Sequence, residues 1–129
     1  MGLIKKLILV VAIVGVVFFF GRGAIDGNAT REGPHDALAD CLTDSGAKMY
    51  GAYWCPHCLD QKAMFGDSWN KVNYIECSLP NRGGQTRTCD LMDIESYPTW
   101  EFGDGSRQSG ALTLDELAEK SGCNVAEAA

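Results

Sequence analysis

The hydrophobic positions change pattern along the chain. Leu7 to Phe20 is an unbroken apolar run with no polar face, preceded by Lys5 and Lys6. As helix those residues span about 21 Å, short of the ~30 Å hydrocarbon core of a bilayer. Counting from Leu3 to Gly21, with the lysine stems snorkelling, makes a spanning length. Residues 1–21 therefore read as an N-terminal membrane anchor or signal sequence. Arg22 interrupts the place where small residues would mark cleavage, which favours a retained single-pass transmembrane helix. The two lysines keep the N-terminus cytoplasmic and leave the rest extracytoplasmic. Residues 22–33 are rich in Gly and polar side chains and read as a flexible linker.

Past the linker the pattern is that of one small α/β domain over 34–124, followed by a tail at 125–129. Pro34 opens a helix from Asp36 to about Asp44, with Ala37, Leu38, Cys41 and Leu42 on one side and Gly46 as its stop. Lys48 to Tyr53 reads as a buried strand, Leu59 to Phe65 as a helix, and Val72 to Cys77 as an alternating second strand. A loop over 78–86 leads to a short helix, Arg87 to Ile94. Thr99 to Phe102 and Arg107 to Ser109 make a hairpin across Asp104-Gly105. Thr113 and Glu116 form a capping box for a last helix that stops at Gly122. The order α-β-α-β-α-β-β-α implies a parallel pair closed by an antiparallel hairpin. That is a mixed four-stranded sheet with helices on both faces.

Composition narrows the function. Apolar residues are 46% and charged ones 22%, which suits a globular body. The formal net charge is −6 at pH 7, and Lys5 and Lys6 belong to the leader, so residues 22–129 carry −8. No basic face is available for nucleic acid. All six cysteines fall between 41 and 123. An even number in a short chain behind a hydrophobic leader points to an oxidising compartment, with the connectivity left open.

One pair, Cys55 and Cys58, is too close for simple scaffolding and frames Cys55-Pro56-His57-Cys58. At a strand-to-helix turn the first cysteine meets the unpaired N–H groups and macrodipole of a helix start, which favour a thiolate. Cys55 is therefore the expected nucleophile and Cys58 the resolver of the mixed disulfide. Pro56 suits the first helical turn because no N–H is needed there. His57 adds a donor or positive charge beside Cys55, which would make the disulfide more oxidising. The Cys55–Cys58 disulfide is itself the redox group, so no further cofactor is expected. Structural zinc wants two close pairs, and only one is present, so no metal is assigned. A metal-binding or copper-delivery protein using the same dithiol is the alternative from another class.

Trp54-Cys55-Pro56-His57-Cys58 after an apolar strand, with Tyr97-Pro98-Thr99 about forty residues later, resembles the thioredoxin superfamily. The tetrad itself is that of DsbA-like disulfide oxidases. A fuller likeness runs through Cys41-Leu42-Thr43, Gly46 to Cys58, Gln61-Lys62, Phe65-Gly66, Tyr74 to Cys77, Cys89 and Tyr97 to Trp100. Over about residues 38–122 the chain resembles the thioredoxin-like domain attached to bacterial and plant vitamin K epoxide reductase homologues.

The resemblance implies a thioredoxin-like fold, with Pro98 cis and beside the dithiol. It implies a protein dithiol–disulfide oxidoreductase that takes electrons from exported thiol proteins and passes them to a membrane quinone reductase. With a single apolar run in this chain, that reductase would be a separate partner. The direction expected is oxidation of exported thiols; a reductase or isomerase of the same fold is the alternative. Trp54, Tyr97 and Thr99 would line the substrate groove. Cys77 and Cys89 would form a second disulfide, as a structural staple or as an electron shuttle. Cys41 and Cys123 remain, either bridged or as buried free thiols. In this fold the helices that carry them tend to lie on opposite faces. Thioredoxin buries an acidic residue six positions before its first cysteine; Met49 stands there. Glu76 on the neighbouring strand is a substitute proton acceptor, or a strand-end surface carboxylate.

Overall fold

The computed structural model separates two compact units, Met1–Thr30 and Arg31–Ala129, and describes Gly2, Ile4 and residues 32–124. Apart from those residues, the expected anchor over 1–21, the linker and the 125–129 tail lie outside the described residues. Among the described residues no helix is long and apolar enough to cross a membrane.

The second unit runs α1 (Asp36–Asp44), β1 (Lys48–Gly51), α2 (Pro56–Phe65), β2 (Tyr74–Glu76), α3 (Arg87–Leu91), β3 (Thr99–Glu101), β4 (Arg107–Ser109) and α4 (Leu114–Ser121). Short 3-10 turns occupy Gly66–Lys71 and Pro80–Arg82. The sheet order is β2-β1-β3-β4. β1 and β2 are parallel, with Tyr50 opposite Ile75; β1–β3 and β3–β4 are antiparallel, with Met49 opposite Trp100 and Trp100 opposite Gln108. The crossover through α2 makes the parallel pair and the tight turn makes the hairpin, as the element order predicts.

Several boundaries differ from the sequence reading: β1 ends at Gly51 rather than Tyr53, and β3 at Glu101 rather than Phe102. α2 starts at Pro56, not Leu59, because proline at the first helical position needs no N–H partner. β2 is only Tyr74–Glu76, because Val72 still donates back to Trp69 and belongs to the preceding turn. α3 ends at Leu91, because Asp93 turns the chain through φ 51° and Ile94 donates back to Cys89. Aspartate tolerates that left-handed conformation better than most residues.

Successive strand residues point to opposite faces, so β1 divides the core. Met49 and, on β3, Trp100 face a large cluster with Leu38 and Leu42 of α1, Phe65 of α2 and Leu117 of α4. Tyr50 faces a smaller cluster with Cys77, Cys89 and Ile94 beside α3. Helices thus cover both faces. The first and last helices do not lie on opposite faces as the resemblance suggested. The apolar stripes of α1 and α4 pack into the same cluster, and a disulfide joins Cys41 to Cys123 across them with Cα atoms 6.0 Å apart.

Gln61 holds α2 in place. It is fully buried, yet each of its amide atoms is used. Oε1 accepts from the Leu112 N–H (2.7 Å) and the Trp100 indole N–H (3.1 Å), while Nε2 donates to the Leu112 carbonyl (2.9 Å). Gln61→Leu keeps the bulk but strands three buried polar groups. The expected loss is about 2–4 kcal/mol, read as a lower urea midpoint; an unchanged midpoint would show that these bonds carry no net stability.

Candidate active site

The thiol pair sits where β1 ends and α2 begins. The Cys55 N–H donates to the Ala52 carbonyl, which turns the chain, and Cys55 then caps α2 with Pro56 as the first helical residue. The Cys58 N–H, one of the donors a helix start leaves unpaired, points at Cys55 Sγ (3.4 Å). Cys55 Sγ also lies 3.6 Å from the Tyr97 carbonyl, toward which its thiol donates. The Tyr97–Pro98 bond that follows this carbonyl is cis. Cys55 is 5% exposed and Cys58 0%. Both are free thiols in the structure.

Gly51 lies close against Cys58. A Cβ on Gly51 would stand 2.9 Å from Cys58 Sγ and 3.0 Å from the Tyr74 ring, so only glycine admits this packing. Burial pushes the Cys58 thiol up to about 12, with its hydrogen bond to Cys55 adding to the effect. Burial, and then the hydrogen bond to Glu76, hold the Tyr74 phenol protonated well above its usual range.

The groove residues separate. Trp54 and Tyr97 stand edge to face, with ring centres 6.1 Å apart, flanking Cys55. The Trp54 indole N–H donates to Ser78 Oγ (2.8 Å), and the Arg82 guanidinium lies 5.5 Å over its ring. The Tyr97 hydroxyl donates to Gln85 Oε1, and burial followed by the Asp90 charge pushes this phenol up. Thr99 does not join them. It is buried, and its hydroxyl donates to the Ser96 carbonyl (2.8 Å) near Ser109. Ser78 and Gln85 were not singled out in the sequence. A polar residue within a loop carries no local signal of the distant ring it will meet.

His57 is exposed, and its imidazole lies 3.9 Å from Asp60 on the next turn. The hydrogen bonds of the Cys55 sulfur go instead to Cys58 and Tyr97. Glu76 is not a free surface carboxylate, and its three hydrogen bonds come from groups other than Cys58. Oε1 accepts from the Tyr53 N–H (3.2 Å) and Ser78 N–H (2.8 Å), and Oε2 from the Tyr74 hydroxyl (2.7 Å). Cys77 and Cys89 form a disulfide, both fully buried against Tyr50 and Ile94. Those surroundings suit a staple. With four cysteines bridged, two thiols remain for a metal. Among the described residues no cluster of three or more His, Cys, Asp or Glu could hold one.

A mixed sheet of this order, with a Cys-x-x-Cys capping the crossover helix and a cis Tyr97–Pro98 bond before β3, is an arrangement that suits dithiol–disulfide exchange. The chain is 44% identical over 96 residues to the thiol-disulfide oxidoreductase LTO1 of Arabidopsis thaliana, a match that covers 71% of this chain and 25% of that protein. The chain thus spans about a quarter of the length of this curated relative. Oxidized glutaredoxin 2 from Chlamydomonas reinhardtii superposes with a TM-score of 0.41 at 19% identity, over 72% of this chain and 100% of that one. No family model matches the chain.

Proposed function

We propose that the chain is a membrane-anchored, extracytoplasmic thiol oxidase. Its Cys55–Cys58 disulfide takes electrons from the thiols of exported proteins, and a quinone-linked reductase in the membrane reoxidises it. The observation that carries the exchange chemistry is the Cys58 N–H aimed at Cys55 Sγ beside the cis Tyr97–Pro98 bond. Support for the compartment comes from the Cys41–Cys123 and Cys77–Cys89 disulfides, which persist where the surroundings oxidise thiols. The lysine-led apolar run from Leu7 to Phe20 supports the anchor. The quinone-linked partner rests on the resemblance of residues 38–122 to reductase-attached domains.

Direction is decided by redox equilibrium with glutathione, followed by alkylation and mass measurement of the Cys55–Cys58 pair. An oxidase should already be mostly reduced at a poise of about −180 mV. A pair still oxidised there, and reduced only near about −270 mV, would make the protein a tethered reductase instead.

A further inference from the structure

The resolving thiol has a cation beside it to which exchange chemistry has so far given no part. Lys62 follows Cys58 by one turn of α2, so the two side chains share a face. Its ammonium lies 3.9 Å from the centre of the Tyr74 ring and 5.6 Å from that of Trp69. The residue is half-buried. Among the described residues it joins no ion pair. The tyrosine on which it sits is the ring that closes with Cys58 Sγ around Gly51. The Tyr74 ring thus has the cation over its face and Cys58 Sγ on the other side of Gly51.

We propose that Lys62 is a positioning residue for the resolving step: its ammonium, seated on Tyr74, balances the negative charge that appears on Cys58 Sγ when the Cys55–Cys58 bond is made or broken. The proposal rests on the dithiol exchange assigned above. When Cys55 carries a mixed disulfide, the Cys58 thiol releases its proton to solvent and its sulfur attacks Cys55 Sγ. The Sγ–Sγ bond forms, the Cys55–substrate bond breaks, and the electron pair leaves on the substrate sulfur. Substrate is reduced and the cysteine pair oxidised. In the oxidase direction a substrate thiolate attacks Cys55, and Cys58 departs with the electron pair before taking up a proton. The same buried atom bears the charge both ways.

Of the titratable groups around the thiol, Lys62 is the one that carries a positive charge. The titratable groups around the thiol are Cys55 and Lys62 on its own helix, Tyr74 with Glu76 behind it on β2, and Tyr97 before β3. β1 supplies Met49 and Gly51, which carry no charge. Glu76 is occupied by three donors. Burial raises the cost of the Cys58 thiolate; a backbone hydrogen bond from Ala52, and after it the Lys62 charge, lower it. Inside a protein a neighbouring cation is screened less than in water.

The test uses the reduced full-length protein and the aromatic disulfide dithionitrobenzoate. The first thionitrobenzoate released reports attack by Cys55; the second reports closure by Cys58. Lys62→Met should slow the second release about tenfold more than the first, and raise the pH midpoint of the second by about one unit. Lys62→Arg, which keeps the charge, should recover most of that loss. If Lys62→Met folds poorly, Lys62→Gln serves the same comparison. A second release with the wild-type rate and pH profile in the neutral variants would overturn the proposal, as would an Arg variant no better than Met. Failure of the wild type to give any first release would overturn the dithiol assignment beneath it.

Discussion

Cys55→Ser should lose exchange by on the order of 10³-fold or more, while Cys58→Ser should still attack and then accumulate as a mixed disulfide with its substrate. The asymmetry follows from where the two sulfurs lie. Cys55 caps α2, receives the Cys58 N–H and reaches the surface between Trp54 and Tyr97. Cys58 has no exposed surface, and burial keeps its thiol protonated up to about 12. An incoming disulfide therefore meets only Cys55, and a serine there removes the attacking atom. A serine at position 58 leaves the attack intact and removes the group that would release the adduct. Mass spectrometry of the trapped species checks the assignment. Equal residual activity in the two variants would show that either sulfur can be attacked from outside.

The second large effect is on stability. Replacing Cys41 and Cys123 together by alanine should cost about 2–5 kcal/mol, because the bridge closes a long loop. The two cysteines are 82 residues apart, against 12 for Cys77 and Cys89. For a domain of this size each kcal/mol moves the melting temperature by about 4–8 °C. The double variant should melt well over ~10 °C below the wild type, as followed by circular dichroism. Neither residue hydrogen-bonds to the Cys55 or Cys58 sulfur, so exchange measured below the lowered transition should remain. A melting temperature shared with the wild type would mean that α1 and α4 hold together through Leu38, Leu42 and Leu117 alone.

Features governed by neighbours in sequence were the legible ones. The capping box is present, with Thr113 Oγ1 accepting from the Glu116 N–H and the Glu116 carboxylate answering the Thr113 N–H. The hairpin across Asp104-Gly105 and the α/β order follow equally local rules. The Cys-Pro-His-Cys tetrad announced a site because four consecutive residues carry its chemistry. Features that depend on which face a helix chooses were not legible. α1 and α4 each show an apolar stripe, but a stripe does not say which side of the sheet it will cover. The Cys41–Cys123 bridge could not be derived without that choice. Gln61 was quoted as part of a motif, yet its bonds to Leu112 and Trp100 arise only when distant segments meet. Glu76 was read as free or basic because Tyr53, Ser78 and Tyr74 surround it only after β2 pairs with β1. Thr99 faced the groove by its place in the sequence and turned inward through its bond to Ser96.

The segment from Cys77 to Cys89 is clipped to itself at both ends, and both aromatic flanks of the reactive sulfur lean on it. Ser78 steadies Trp54, and Gln85 takes the Tyr97 hydroxyl. The opening above Cys55 is thus framed by a covalent hoop rather than by the sheet. Exchanging residues inside that hoop changes the shape a visiting polypeptide must match, while the strand–helix corner that does the chemistry stays where it is.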